Sequence, residues 1–120
     1  MIERVKLTAA AKQQLITLKR RTGIEHYNTI CRHALVVSLS NPAPAPTETF
    51  QFANGLEIDW DVFTGGSNET YLNLLIVRTL ADTGKYDVVE VRQTLTSHIH
   101  RGLSYLASRK ETEISLTSAT

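Results

Sequence analysis

The sequence has one cysteine, three prolines and no long apolar run. A single cysteine, Cys31, excludes an intramolecular disulfide and is typical of proteins from a reducing compartment. The longest strongly apolar stretch, Ala34–Leu39, is far shorter than the roughly 20 residues that a membrane-spanning helix needs. The segment Met1–Leu7 is too short and too charged for the apolar part of a signal peptide. These absences predict a soluble cytoplasmic protein that does not enter a membrane.

The length and the hydrophobic content indicate one globular domain. A chain of 120 residues buries roughly two thirds of its unfolded surface, which is enough for a core. The hydrophobic content of 42% is ordinary for a globular protein and argues against disorder of the whole chain. We therefore expect a single compact domain over residues 1–110, followed by a flexible tail, rich in Ser and Thr, over residues 111–120.

The net charge of the chain is only +1, but the charges are unevenly distributed. Residues 1–33 contain seven basic and two acidic side chains, whereas residues 41–91 contain two basic and eight acidic ones. This separation predicts a basic face and an acidic flank. A basic face can bind DNA because several fixed cations displace counterions together, although a solvated surface is the more frequent meaning of such a cluster. The basic residues of the first segment are Arg4, Lys6, Lys12, Lys19, Arg20, Arg21 and Arg32.

Apolar periodicity over residues 1–40 predicts a strand followed by two helices. The strand covers residues 1–7, a helix capped by Thr8 follows and ends at Gly23, and a second helix covers about residues 24–40. This order resembles the ribbon-helix-helix class, in which the strand pairs with that of a dimer mate and enters the major groove of DNA. In that arrangement, the outward basic residues of the strand would reach toward DNA.

The rest of the chain predicts a connector, a β-hairpin and two further helices. The Pro-rich connector covers residues 41–47, where proline stops the preceding helix. The pair Asn54-Gly55 predicts a hairpin within residues 48–66, because these residues tolerate a positive φ. A helix pair follows over residues 67–107. The predicted fold class is mainly α, with a ribbon-helix-helix-like unit, a hairpin and two C-terminal helices.

The second helix has an apolar arc wide enough for burial on more than one side, either by the rest of the chain or by another subunit. Asn28 projects close to this arc, and a polar side chain there needs a partner on the backbone or on a symmetry mate. The pattern favours a homo-oligomer.

No residue pattern argues for an active site. Cys31 lies on the apolar stripe of the second helix, where a thiol behaves as a small packing group. The alternating acids Glu57, Asp59 and Asp61 are more typical of a solubilised strand edge than of a cation site. We expect no catalytic residue, no metal ion and no cofactor, since the histidines also lack chelating spacing. They are His26, His33, His98 and His100.

The stretches LITLKRRTGI at residues 15–24 and NTICRHAL at residues 28–35, with SL at 38–39, resemble the N-terminal signature of the DndE family. The later hairpin and helix pair fit as well, so that the resemblance covers about residues 1–107. It implies a non-enzymatic, DNA-binding accessory subunit of bacterial DNA phosphorothioation, in which sulfur replaces a non-bridging phosphate oxygen. It also implies a homotetramer that binds duplex DNA, with a preference for nicked duplex, and that has DndC and DndD as partner proteins. The seven basic residues are the candidates for the DNA contact.

Two alternatives stay open from the sequence. The chain could be an assembly scaffold that binds no DNA and docks the other Dnd proteins on its acidic flank. The ribbon-helix-helix order, taken alone, would instead predict a transcriptional repressor with a specific operator sequence.

Overall fold

The structure, a computed structural model, describes residues 1–46 and 48–109. Helices account for most of this part of the chain, and the predicted mainly α-helical class is confirmed. The tail predicted for residues 111–120 lies outside the described residues, as does residue 47 at the end of the predicted connector. The elements are β1 (Arg4–Leu7), α1 (Ala9–Thr22), α2 (Tyr27–Leu39), β2 (Leu56–Asp59), α3 (Trp60–Thr64), α4 (Asn68–Thr83) and α5 (Val88–Ala107).

The first helix, α1, begins and ends at the predicted residues. The Oγ1 atom of Thr8 accepts a hydrogen bond from the Ala11 N–H at 3.1 Å, which satisfies a donor of the first turn. The helix ends at Gly23, whose φ of 75° is a left-handed conformation that glycine adopts without steric strain. Because Ala11, Leu15 and Leu18 turn into the core, the opposite side of α1 faces solvent.

The strand β1 pairs antiparallel with β2 of the same chain. Arg4 lies opposite Asp59, and Leu7 lies opposite Leu56. The hairpin predicted within residues 48–66 is therefore wrong in its pairing, since the stretch before β2 contains no strand. The comparison with the ribbon-helix-helix class also fails here, because in that class the first strand pairs with a dimer mate rather than within its own chain.

A turn forms at Asn54-Gly55, as predicted, but the strand that follows it pairs with β1. Asn54 has a φ of 61°, the conformation that the sequence predicts for a turn residue. A Cβ built on Gly55 would lie 1.8 Å from the carbonyl oxygen of Leu7, so that only glycine allows this approach to β1. Phe50, expected in the hairpin, packs instead on the ring of His100 at a centroid distance of 4.5 Å. The backbone groups of β2 therefore form their hydrogen bonds with β1.

The helix α5 is the centre of the fold, and it packs against α1, α2, α4 and β1. It contributes buried apolar side chains along most of its length. The wide apolar arc of α2 is covered by the chain itself, because Ile30, Cys31, Ala34 and Leu35 are all buried. The buried apolar residues of α5 are Val91, Leu95, Ile99, Leu103 and Leu106.

Candidate nucleic-acid interface

The helix α1 carries four basic side chains and no acidic one. We call this set the α1 basic surface. Three of its members lie in the last turn, where cations also interact favourably with the negative end of the helix dipole. Three of the four side chains are exposed and the first is half-buried. The set consists of Lys12, Lys19, Arg20 and Arg21.

None of these four side chains forms an ion pair with a carboxylate of the described residues. The Nζ atom of Lys19 lies 5.3 Å from the ring centroid of Tyr27, a cation–π contact that orients the ammonium group. Arg21 donates from Nη1 to the carbonyl oxygen of Ala107 at 2.9 Å, which ties α1 to the end of α5. A carbonyl contact does not neutralise a guanidinium, so that the α1 basic surface keeps its positive charge.

The basic residues of β1 are in a different environment. The Nη1 atom of Arg4 lies 3.1 Å from Asp59 Oδ1 and 3.8 Å from Glu57 Oε2. Lys6 lies directly opposite Glu57 in the strand pair. The outer face of the sheet therefore carries balanced charge, with acids from the middle of the chain beside both cations. A polyanion gains little from such a surface.

Arg32 holds the short helix α3 in place. Its Nη1 atom donates to the carbonyl oxygen of Phe63 at 2.8 Å, and Nη2 donates to Thr29 Oγ1 at 3.3 Å. Asn28 acts in the same way, since its Nδ2 atom donates to the carbonyl oxygen of Val62 at 2.9 Å. The predicted partner of Asn28 is thus a backbone group of α3. Of the seven candidate residues, the structure groups the four on α1 and separates the other three.

A hollow of about 840 Å³ lies between β1 and α5. Its lining mixes charges of both signs with two aromatic rings, so that it offers no net attraction for phosphate. The charged and aromatic residues that line it are Glu3, Arg4, Lys6, Glu48, Glu57, Arg92, Phe50 and Phe52.

Three residues that are far apart in sequence, Ser38, His98 and Asp82, meet beside the packed helices. Ser38 Oγ lies 2.8 Å from His98 Nδ1, and His98 Nε2 lies 3.8 Å from Asp82 Oδ2. Burial, followed by the nearby charges of Arg78 and Arg101, lowers the pKa of His98 to about 4. The ring is therefore neutral at pH 7 and accepts the Ser38 hydroxyl hydrogen at Nδ1.

This Ser-His-Asp set has no access for a substrate. Ser38 and His98 are both buried, and Arg101 Nε donates to Ser38 Oγ at 2.7 Å. Neither residue lines the hollow between β1 and α5 or the one beside α1 and His100. A nucleophile needs a reacting atom within about 3 Å, so the set stabilises packing rather than reacting. No local motif could have revealed it, because its members come from three different helices.

Three further sequence predictions concern the Cys31 thiol, a metal site and a membrane-spanning helix. Cys31 is fully buried, and burial raises the pKa of its thiol to about 12, so that the predicted packing role is confirmed. Among the described residues, no group of three or more His, Cys, Asp or Glu side chains is placed to hold a metal ion. No helix in the described part of the chain is long and apolar enough to cross a membrane.

Comparison with known proteins identifies a family and a similar solved structure. The model of the family described as "DNA sulphur modification protein DndE" matches residues 4–113. Among solved structures, the chain is similar to DndE from Escherichia coli B7A, which is involved in DNA phosphorothioation modification. The two are 19% identical, with a TM-score of 0.72, and the match covers 88% of this chain and 100% of that one. At this identity the likeness shows a common fold. None of the curated proteins is significantly similar in sequence.

Proposed function

This chain belongs to the DndE family of DNA sulphur modification proteins, and we propose that it is the DNA-binding accessory subunit of a bacterial phosphorothioation system. The α1 basic surface carries this proposal, because it presents four cations on one helix without a neutralising carboxylate among the described residues. Several cations fixed on one rigid element release condensed counterions together when they meet phosphates. The sulfur chemistry then belongs to other components, with DndC and DndD as the proposed partners.

The salt dependence of binding to a labelled duplex tests this proposal. For the double variant Lys12→Gln/Lys19→Gln, we expect the slope of log affinity against log salt to fall by about 1.8, since each phosphate contact contributes about 0.9. The affinity at low salt should fall by about tenfold or more. The matched control is Lys85→Glu, which changes the net charge by the same amount at an exposed position outside α1 and should bind normally.

Two outcomes of the same experiment decide the finer points. A wild-type protein that is not retained by duplex or heparin at low salt contradicts DNA binding and leaves the assembly scaffold as the function. A lower dissociation constant for nicked duplex than for intact duplex of the same sequence supports the preference for nicked DNA. Equal dissociation constants contradict that preference.

We further propose that the chain self-associates through the outward side of α4, as a homotetramer. Beyond the first turn, no exposed residue of α4 carries a charge. Large apolar side chains are open to solvent there, and Val77 is 67% exposed. A helix that is apolar on its outer side as well as on its inner side is normally buried between partners. The exposed residues of this α4 face are Thr70, Asn73, Leu74, Val77, Leu80 and Ala81.

The molar mass in solution tests self-association. The variant Leu74→Ser/Val77→Ser should run as a smaller species in size-exclusion chromatography with light scattering, without loss of helical signal. The control is Val62→Ser on α3, which removes an apolar side chain that is 51% exposed. If the α4 variant keeps the mass of the wild type, the α4 face is not the contact between copies.

A further inference from the structure

We infer that α1 lies in the major groove of the bound DNA, with its outward side toward the base edges and with Lys12, Lys19 and Arg21 toward the phosphates. This inference rests on the proposed function, since it concerns how the α1 basic surface meets the duplex. The sequence predicted the strand for this role. In the structure, the strand is paired within the chain and its cations lie beside carboxylates, whereas α1 is free of acids.

The outward side of α1 forms a ridge that we call the α1 crest. Its members follow one another at steps of four, three and four residues, which places them on one side of a helix. All of them are exposed, and the apolar side chain of Ile16 is 38% exposed between basic neighbours. The α1 crest consists of Ala9, Gln13, Ile16 and Arg20.

The other cations of α1 lie on the two sides of this crest. At 100° per residue, Lys12 and Lys19 point to one side of it and Arg21 points to the other. The major groove likewise has a phosphate strand along each of its two sides. A helix in the groove therefore meets phosphates on both flanks, and α1 offers a cation on each. A helix that lay across a single strand would need cations on one side only.

The dimensions of α1 also fit the groove. An α-helix with side chains is about 10–12 Å wide, and the major groove is about 12 Å wide. The 14 residues of α1 extend about 21 Å, which corresponds to about six base pairs at 3.4 Å each. The first turn contains only alanine, so that its backbone can approach the DNA closely. The positive end of the helix dipole lies at this turn and favours nearby phosphate.

The side chains of the crest predict which bases they would favour. The Gln13 amide can donate and accept at once, which matches the N6 and N7 atoms of adenine in the major groove. Ile16 can contact the methyl group of thymine. These two contacts favour A·T pairs, whereas Arg20 at the end of the crest can donate to guanine, so that the preference is modest and defines no operator sequence.

Blocking the major groove and the minor groove of the duplex in separate experiments tests this placement. We expect wild-type protein to bind at least about tenfold more weakly to a duplex whose cytosines carry glucosylated 5-hydroxymethyl groups, because these groups occupy the major groove. Distamycin, which occupies the minor groove of A·T-rich duplex, should leave the affinity unchanged. The reverse result, weakening by distamycin and tolerance of the glucosylated duplex, overturns the inference.

Variants of the crest give a second readout. Gln13→Ala and Ile16→Ala should each lower the affinity for A·T-rich duplex by about threefold to tenfold and leave the salt slope unchanged, since neither side chain contacts phosphate. Both positions are exposed on a helix, so alanine keeps the fold. Thr70→Ala, at an exposed position of α4, is the control.

The failure of this inference can be told from the failure of the proposed function. Only the groove placement is wrong if wild-type protein binds with a steep salt slope, the glucosylated groups do not weaken binding, and the crest variants keep the wild-type affinity. If wild-type protein binds no duplex at low salt, the proposed function fails and the inference fails with it.

Discussion

At the scale of single residues, Gly102 in the middle of α5 sets the distance between α5 and α2. A Cβ at this position would lie 1.9 Å from the carbonyl oxygen of Ala34 and 2.4 Å from its carbonyl carbon. Both are backbone atoms of a buried helix, which cannot move aside as the end of a side chain can. We therefore predict that Gly102→Ala lowers the free energy of unfolding by about 3 kcal/mol, because the two central helices must separate.

Urea denaturation measures this loss, and Gly23→Ala is the matched control. A Cβ on Gly23 has open space, and its cost is limited to about 1 kcal/mol for the left-handed backbone. Equal losses in the two variants would contradict the close approach of α2 and α5.

His98 makes the stability depend on pH. Its pKa lies near 4 in the folded chain, through burial and then the charges of Arg78 and Arg101, and near 6.5 when it is unfolded. Between these values the unfolded chain binds the additional proton, so that the stability is complete above pH 6.5 and falls as the pH falls toward 4. We predict a loss of about 3 kcal/mol over this window.

Unfolding free energies at pH 7.5, 5.5 and 4.5 test this prediction. His98→Asn keeps a polar group near Ser38 and does not titrate, so the pH dependence should become markedly shallower. A weaker dependence should remain, because burial also lowers the pKa of His33 and His100. An unchanged pH profile in the variant would exclude His98 as its main source.

At the scale of the elements, two arginines hold the end of α2 and the start of the connector. Arg101 donates from Nη2 to the carbonyl oxygen of Ser38 at 2.7 Å and from Nη1 to that of Ala43 at 2.8 Å. Arg78 donates to the carbonyl oxygens of Leu39 and Asn41 at 3.0 and 2.8 Å. The carbonyls of Ser38 and Leu39 lie in the last turn of α2, where the following helical N–H groups are missing, and those of Asn41 and Ala43 lie in the connector. The planar guanidinium groups satisfy several of these carbonyls at once.

We predict that Arg101→Lys lowers the free energy of unfolding by about 2 kcal/mol, although the charge is retained. An ammonium group cannot reach Ser38 and Ala43 with the same fixed geometry. The connector at residues 41–46 should also become more sensitive to limited proteolysis. Arg92→Lys is the control on the same helix, since Arg92 donates only to the Met1 carbonyl among the described residues. Similar proteolysis of both variants would contradict a specific role for Arg101.

The sequence predicted the helices well and the strand pairing poorly, for a physical reason. Helix signals are local, and the cap at Thr8 and the stop at Gly23 each lie within one turn of the helix that they bound. The pairing of β1 with β2 joins residues about 49 to 55 positions apart, and two four-residue strands carry little periodic signal. The sequence therefore predicts that the strand at β2 pairs with its nearest neighbour in the chain, whereas it pairs with β1.

At the candidate site too, groupings within one helix could be predicted from the sequence, whereas contacts between distant residues could not. Lys12, Lys19 and Arg20 could be grouped from helical spacing alone. The sequence could not show that Arg4 lies beside Asp59, or that Arg32 binds the backbone of α3, because both contacts depend on tertiary structure. The network of Ser38, His98 and Arg101 was missed for the same reason.

At the scale of the whole molecule, the α1 basic surface and the α4 face lie on different helices. Both helices pack on α5, while α1 contacts α2 and α4 contacts α3. Self-association through α4 would therefore leave α1 open and bring several copies of it together. Linked copies bind one duplex at a high effective concentration, which raises affinity without a new contact.

We predict that Leu74→Ser/Val77→Ser, which leaves α1 untouched, weakens binding to a long duplex by about a hundredfold. The salt slope should fall in proportion to the number of subunits lost, because each subunit brings its own phosphate contacts. Binding to a duplex too short for two subunits should not change. Wild-type affinity of the variant for the long duplex would show that the subunits bind independently.

The central position of α5 has a consequence for how the protein is made. α5 follows every other described element in the chain, yet it covers the apolar sides of α1 and α2. While the ribosome is still translating the preceding residues, these sides lack α5, the helix that covers most of them. Folding must wait until α5 has left the exit tunnel, so a transcript truncated before its codons would yield a polypeptide exposed to chaperones and proteases.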